Sequence, residues 1–236
     1  MFEIIRAEQR GLAQFGWLTS RHTFSFGDYY NPAQMGFSAL RVLNDDAVTA
    51  GAGFQRHSHR NMEIISYVQA GRMVHQDSTG QHTELPAGEF QLMSAGKGIA
   101  HSEFNGSQSE GLKFLQIWIQ PNELNTEPSY QQQDFGQSPG LTMIVTPHGR
   151  DGTLQIKQDA SLAQLIAAPE QHYSLPTMLN RAYYLHLIEG ELSLSSPLFA
   201  EQQLRPGDGI KLWQIAELSA IAGSQKVQAL WFDLPT

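Results

Sequence analysis

Short segments in which apolar residues alternate with polar ones, or run together, recur along the first half of the chain with turn residues between them. They are HTFSF (22–26), FSALRVL (37–43), MEIISYV (62–68), RMVHQ (72–76), EFQLMSA (89–95) and KFLQIWI (113–119). This spacing predicts the strands of a sandwich or barrel. Helical periodicity is scarce, and the best helix candidate is a short segment from Asn31 to Met35 opened by Asn-Pro.

The pattern breaks after Ile119. PNELNTEPSYQQQDFGQSPG (121–140) is rich in Pro, Asn, Gln and Glu and poor in β-branched residues, so it reads as a connector. Strand-like text resumes with LTMIVT (141–146), TLQIKQ (153–158), AYYLHLI (182–188), ELSLS (191–195), GIKLW (209–213) and VQALWFDL (227–234). The expectation is an all-β chain with an amino-terminal domain at 1–121, a linker at 122–140 and a second domain at 141–236. The halves also share a signature: Gly71 and Gly88 are matched 119 residues later by Gly190 and Gly207, which points to an internal repeat.

With 236 residues, 41% of them hydrophobic, the chain can bury a real core. Its net charge of −8 gives no electrostatic footprint for nucleic acid or an anionic membrane, so direct contact with either is not expected. The chain has no cysteine, so any bound metal must be held by nitrogen and oxygen. The first residues lack the apolar stretch of a signal peptide and no run is long enough to cross a bilayer, so a cytoplasmic location is expected.

The candidate chemistry lies in two pairs, His57 with His59 in GAGFQRHSHRNME and His101 with Glu103 in GKGIAHSEF. On a strand, side chains two residues apart point to one face, roughly 6.6 Å apart along it. Each pair can therefore offer two ligand atoms to one ion, and two adjacent strands would complete a four-ligand site. Three imidazoles and one carboxylate suit a borderline divalent metal better than magnesium or calcium. Four protein ligands on a six-coordinate ion leave room for substrate. The repeat offset carries the four positions onto Pro176, Met178, Ala220 and Ala222, so the second half cannot rebuild the site.

Gly51, five residues, His57-x-His59, three more and Glu63 match the first cupin motif, and Gly80, five residues and Pro86-x-Gly88 open the second. The second motif should then place a histidine where Gln91 stands. This departure, together with MSAGKGIAHSE (93–103), HTFSFGDYYNP (22–32), MGFSALRVLNDD (35–46) and DGTLQIKQDA (151–160), resembles the pirin family. The likeness is greatest to short bacterial pirin-like proteins related to quercetin 2,3-dioxygenases. It implies a bicupin, with two β-barrel domains of the jelly-roll, double-stranded β-helix kind. It also implies one divalent metal in the amino-terminal barrel, held by His57, His59, His101 and Glu103. Iron is the family's usual metal, with nickel, copper, manganese, zinc or cobalt as the other candidates.

The implied reaction is cleavage of a flavonol-like aromatic substrate with O2, in which Glu103 serves as ligand and as catalytic base. The same scaffold also supports a metal-dependent, redox-sensing regulator with a protein partner, as in eukaryotic pirins, or a small-molecule isomerase. Of the other polar residues, Glu63 reads as structural, His75 and His82 as polar strand positions, and His22 as a core residue or a pocket wall.

Overall fold

A computed structural model describes residues 1–236. Apart from two single-turn 3-10 segments the regular structure is all strand, and the strands that build the two barrels pair antiparallel, as Gly53–His59 does with Ile99–Asn105 and Ser161–Ala167 with Val227–Leu234. No helix is long and apolar enough to cross a membrane. The expected helix at 31–35 is instead a turn. Asn31 Oδ1 accepts from the Ala33 amide at 3.0 Å, and the Asn31 carbonyl accepts from the Gln34 amide at 2.9 Å. Asparagine followed by proline favours this local bonding over a helix.

The chain divides into two compact units, one built from residues 11–136 and 147–158, the other from residues 1–10, 137–146 and 159–236. The strands of the amino-terminal text are β1 (Phe2–Ile5), β2 (Gly11–Gln14), β3 (Leu18–His22), β4 (Leu40–Val48), β5 (Gly53–His59) and β6 (Glu63–Ala70). They are followed by β7 (Arg72–Asp77), β8 (His82–Pro86), β9 (Glu89–Ser94), β10 (Ile99–Asn105), β11 (Leu112–Ile119) and β12 (Ser129–Asp134).

The first unit is a barrel of two sheets, ordered β12-β9-β6-β11-β4-β3-β2 and β5-β10-β7-β8. β12 lies inside the stretch expected to be a linker. Its glutamine-rich text forms a strand because it completes the sheet edge, pairing Gln132 with Gln91 and Tyr130 with Met93. The expected strand at 22–26 is likewise displaced, with β3 ending at His22 and a loop following that buries Phe24.

The larger sheet carries one register row of polar residues on its inner face: His22, Asn44, Gln116, Ser66, Gln91 and Gln132, from β3 across to β12. Apolar clusters flank the row. On one side lie Leu18, Val48, Val68, Leu112 and Phe114, packed against Met73 and Leu85 of the small sheet. On the other lie Ile64 and Met93, with Trp118 and Tyr130 against them. Burial of each large apolar side chain stabilises the barrel by about 1.5–3 kcal/mol. The polar row buries no such side chain, and its interior groups need hydrogen-bond partners.

The second unit repeats the two-sheet plan. β1 opens its large sheet, followed by Gly209–Trp213, Ala182–Glu189, Val227–Leu234, Ser161–Ala167 and Gly140–Thr146. The small sheet is ordered His172–Leu175, Leu218–Ala222, Leu192–Ser196 and Phe199–Leu204. The first ten residues thus belong to the carboxy-terminal unit, where Asp208 Oδ2 accepts from Arg6 Nη1 at 2.7 Å and Asp208 Oδ1 from the Ala7 amide at 2.8 Å. The repeat is visible in backbone geometry. Gly71 and Gly190 both sit at φ +80, and a Cβ on either would run into a backbone carbonyl, of Gly111 and Lys226 respectively. Only glycine fits both turns.

Candidate metal centre

β5 and β10 are neighbours in the small sheet, and His101 stands directly opposite His57. Between His101 and Glu103 the register shifts, leaving one extra residue on β5 around Gln55 and Arg56. There the Gln55 carbonyl accepts a hydrogen bond from His57 Nδ1–H at 2.7 Å, which fixes the ring and leaves Nε2 as the free ligand atom. The rings of His57, His59 and His101 lie 4.5–4.9 Å apart centre to centre. One nitrogen from each ring falls within 4.8 Å of the other two.

Both ring nitrogens of His101 are buried without a hydrogen-bond partner, although the residue is only 1% exposed. An imidazole left this way costs free energy unless something coordinates it. Burial, reinforced by the neighbouring imidazoles, lowers the His101 pKa to about 3 and the His59 pKa to about 4. The rings are therefore neutral at neutral pH, the state a metal needs. Three clustered imidazoles, those of His59 and His101 held neutral and that of His101 with no partner for either nitrogen, fit a divalent transition metal.

Glu103 faces the interior from β10 but clusters with His101 and His75, not with His57 and His59. Its Oε1 accepts from Gln91 Nε2 at 3.0 Å and from Ser66 Oγ at 3.4 Å, and Oε2 accepts from Gln116 Nε2 at 3.5 Å. The middle of the polar row thus cradles this carboxylate. Glu63 is elsewhere, accepting from Ser94 Oγ at 2.8 Å and from the Lys157 amide at 3.2 Å, with burial raising its pKa.

The sequence reading missed His75. It is fully buried on β7 opposite Glu103, and its Nε2–H donates to Asp77 Oδ2 at 3.1 Å. Burial would raise the Asp77 pKa, but bonds from Thr79, His75 and the Gln81 amide outweigh it and hold the carboxyl below its ordinary value. The signal was present in the sequence, since Met73, His75 and Asp77 share the inward phase of one alternating strand. His82 is exposed, as expected of a polar strand position.

His57 and His59 open onto a cavity of about 750 Å³ walled by Trp17, Phe26, Phe54, Phe104 and Trp118. Trp118 meets His59 edge-on at 4.9 Å. Gln116 lines the same cavity and connects it to Glu103.

The Pirin family profile matches residues 5–119, and that of the quercetinase C-terminal cupin domain matches residues 143–234. The chain belongs to the pirin family. It is a bicupin, as its two barrels indicate. It is 41% identical over 235 residues to the quercetin 2,3-dioxygenase of Escherichia coli K12, covering 100% of this chain and 99% of that protein. The crystal structure of the bacterial pirin YhhW from Escherichia coli in complex with nickel(II) superimposes with a TM-score of 0.93 at 40% identity, over 100% of this pirin and 99% of that chain. YhaK from Escherichia coli gives a TM-score of 0.78 at 28% identity, over 96% and 98% of the two chains.

Proposed function

We propose that this pirin is a metal-dependent dioxygenase that cleaves a flavonol-like substrate with O2 at a single metal held by His57, His59, His101 and Glu103. The observation that carries the reading is the orphaned, neutral His101 beside His57 and His59 at the mouth of an apolar cavity. Similarity to the enzyme named quercetin 2,3-dioxygenase supports the choice of substrate class. The cavity volume of about 750 Å³ is in the range that takes a flat polycyclic ligand.

A divalent metal, iron first and otherwise nickel, copper, manganese, zinc or cobalt, would supply Lewis acidity toward an enolic hydroxyl and electron transfer toward oxygen. The protein's own part is orientation and proton handling. The Gln55 carbonyl aims His57, and the aromatic walls stack the substrate and exclude water. Glu103 accepts the proton of the enolic hydroxyl, and Gln91, Ser66 and Gln116 hold the resulting carboxylic acid in place.

The test is metal analysis of protein purified without added metal, followed by oxygen uptake on a flavonol panel after reconstitution. One metal per chain with flavonol-dependent uptake is expected. A fully loaded protein that consumes no oxygen with any flavonol would overturn the reading.

A further inference from the structure

Two cavities of the first unit share a wall. His57 and His59 open onto the one of about 750 Å³, and a second, of about 500 Å³, is enclosed by Leu12, Phe15, Leu18, His22 and Tyr29. Phe26, Phe54 and Gln116 line both. Ring contacts give their order in space. Trp118 meets His59 at 4.9 Å and Phe26 at 5.3 Å, and Phe26 in turn meets His22 at 5.3 Å, each pair edge-on. Trp118 lines only the first cavity and His22 only the second, so the Phe26 ring stands between the two.

The backbone that carries this ring is fixed on both flanks. Phe26 closes a tight turn with Tyr29, each donating its amide to the other's carbonyl at 3.0 Å, and Gly27 takes the positive φ of 55 that a two-residue turn favours. The Tyr29 ring lies over Gly11 of β2, where a Cβ would run into it. Ahead of the turn, the Ser25 amide donates to the Gln34 carbonyl at 2.6 Å, and the Ser25 carbonyl accepts from Arg41 Nη1 at 2.8 Å. Edge-on contacts with Trp118 and His22 then hold the ring itself.

We propose that Phe26 is a specificity-determining residue, a partition that sets how long an aromatic ligand the metal-facing cavity accepts. Resting on the flavonol reading above, a flavonol fits short of Phe26, and a ligand longer by one aromatic ring collides with it. Leu12, Phe15 and Leu18 beyond the partition are apolar, and about 500 Å³ is room for a further ring. Steric exclusion at Phe26, and not the chemistry of the space behind it, therefore makes the selection.

The test reads binding to metal-loaded protein, so it does not depend on turnover. 2-Naphthol is the short probe and 6-phenyl-2-naphthol the long one, each titrated by its own fluorescence. Removing the partition lets the extra phenyl group bury itself, so Phe26→Ala should shift the ratio of the two affinities toward the long probe by at least about tenfold, with metal content unchanged. Phe26→Leu, which leaves an apolar side chain on the turn, should shift it part of the way. Phe104 lines only the first cavity, and Phe104→Ala should keep the ratio within about threefold of the wild type. An unchanged ratio in both Phe26 variants, an equal shift in Phe104→Ala, or no binding of 2-naphthol to the wild type would overturn the partition. A shifted ratio in a protein that consumes no oxygen with any flavonol would leave the partition standing and sink only the flavonol reading.

Discussion

Gln91 Nε2 donates a hydrogen bond to Glu103 Oε1 at 3.0 Å across the interior of the first barrel. Gln91 occupies the position at which the second cupin motif would carry a histidine. In this chain the residue there supports the carboxylate, and the imidazole comes from His101 on the facing sheet. Tyr130 extends the support, donating from its hydroxyl to Gln91 Oε1 at 2.9 Å, and this orients the amide so that its NH2 points at Glu103.

Replacement of Gln91 by Leu keeps the approximate volume and removes the donor. Glu103 would retain only the contacts from Ser66 at 3.4 Å and Gln116 at 3.5 Å. Loss of a charge-assisted buried bond costs about 1–3 kcal/mol. We expect a drop of that size in urea unfolding and a lower turnover at full metal loading. Unchanged stability together with unchanged turnover would show that the carboxylate does not need the amide.

Glu103→Gln separates the proton-accepting role from retention of the metal. The three histidines remain, so occupancy should stay close to that of the wild type while the basic group is gone. General-base contributions are typically about 10²–10⁴-fold, so turnover at saturating metal should fall at least about 100-fold. A fully loaded variant slowed by less than about fivefold would reduce Glu103 to a ligand or a structural group.

Elemental analysis should give one metal per chain. Both groupings of candidate ligands lie in the first unit, and the equivalent positions of the repeat are Pro176, Met178, Ala220 and Ala222. His101→Ala should remove most of the bound metal, because the one other imidazole beside it, His75, is bonded to Asp77 and groups with His101 and Glu103 and not with His57 and His59. Glu63→Gln should leave the stoichiometry near one, since that carboxylate is bonded to Ser94 and Lys157. Two equivalents surviving dialysis of the wild type, or metal loss in the Glu63 variant, would contradict this assignment.

The convergence of His57, His59 and His101 was legible because a strand's period of two forces each pair onto one face and the two strands are neighbours. Polar inward positions were not. The expected strand ended at Leu43, ahead of the polar run 44–46, yet β4 continues through Asn44 and Asp46 to Val48 with both side chains buried. The run of three glutamines at 131–133 read as connector for the same reason, although Gln132 ends the polar row. A composition rule assigns such residues to the surface, and only the cross-strand register shows that they line an interior. Local text also says nothing about long-range pairing, which is why residues 1–10 were grouped with the domain expected at 1–121, whereas they belong to the other compact unit.

The low pKa values of His59 and His101 set how the metal-free protein responds to acid. Burial is the largest cause of both, and it places them at about 4 and about 3 against an ordinary value of 6.5. As pH falls below about 6.5 the unfolded chain protonates these rings while the folded barrel does not, so protons favour unfolding. Their contribution is therefore absent above about pH 7 and destabilises the fold progressively as pH drops toward 4. Carboxylates titrate nearby, so the decisive measurement is a comparison. Urea midpoints between pH 4.5 and 7.5 should fall less steeply for His101→Gln than for the wild type, both stripped of metal. Bound metal competes with the same protons and should release in the same direction. Parallel slopes for the two proteins would mean that His101 is protonated in the folded barrel and is not the neutral ligand its burial implies.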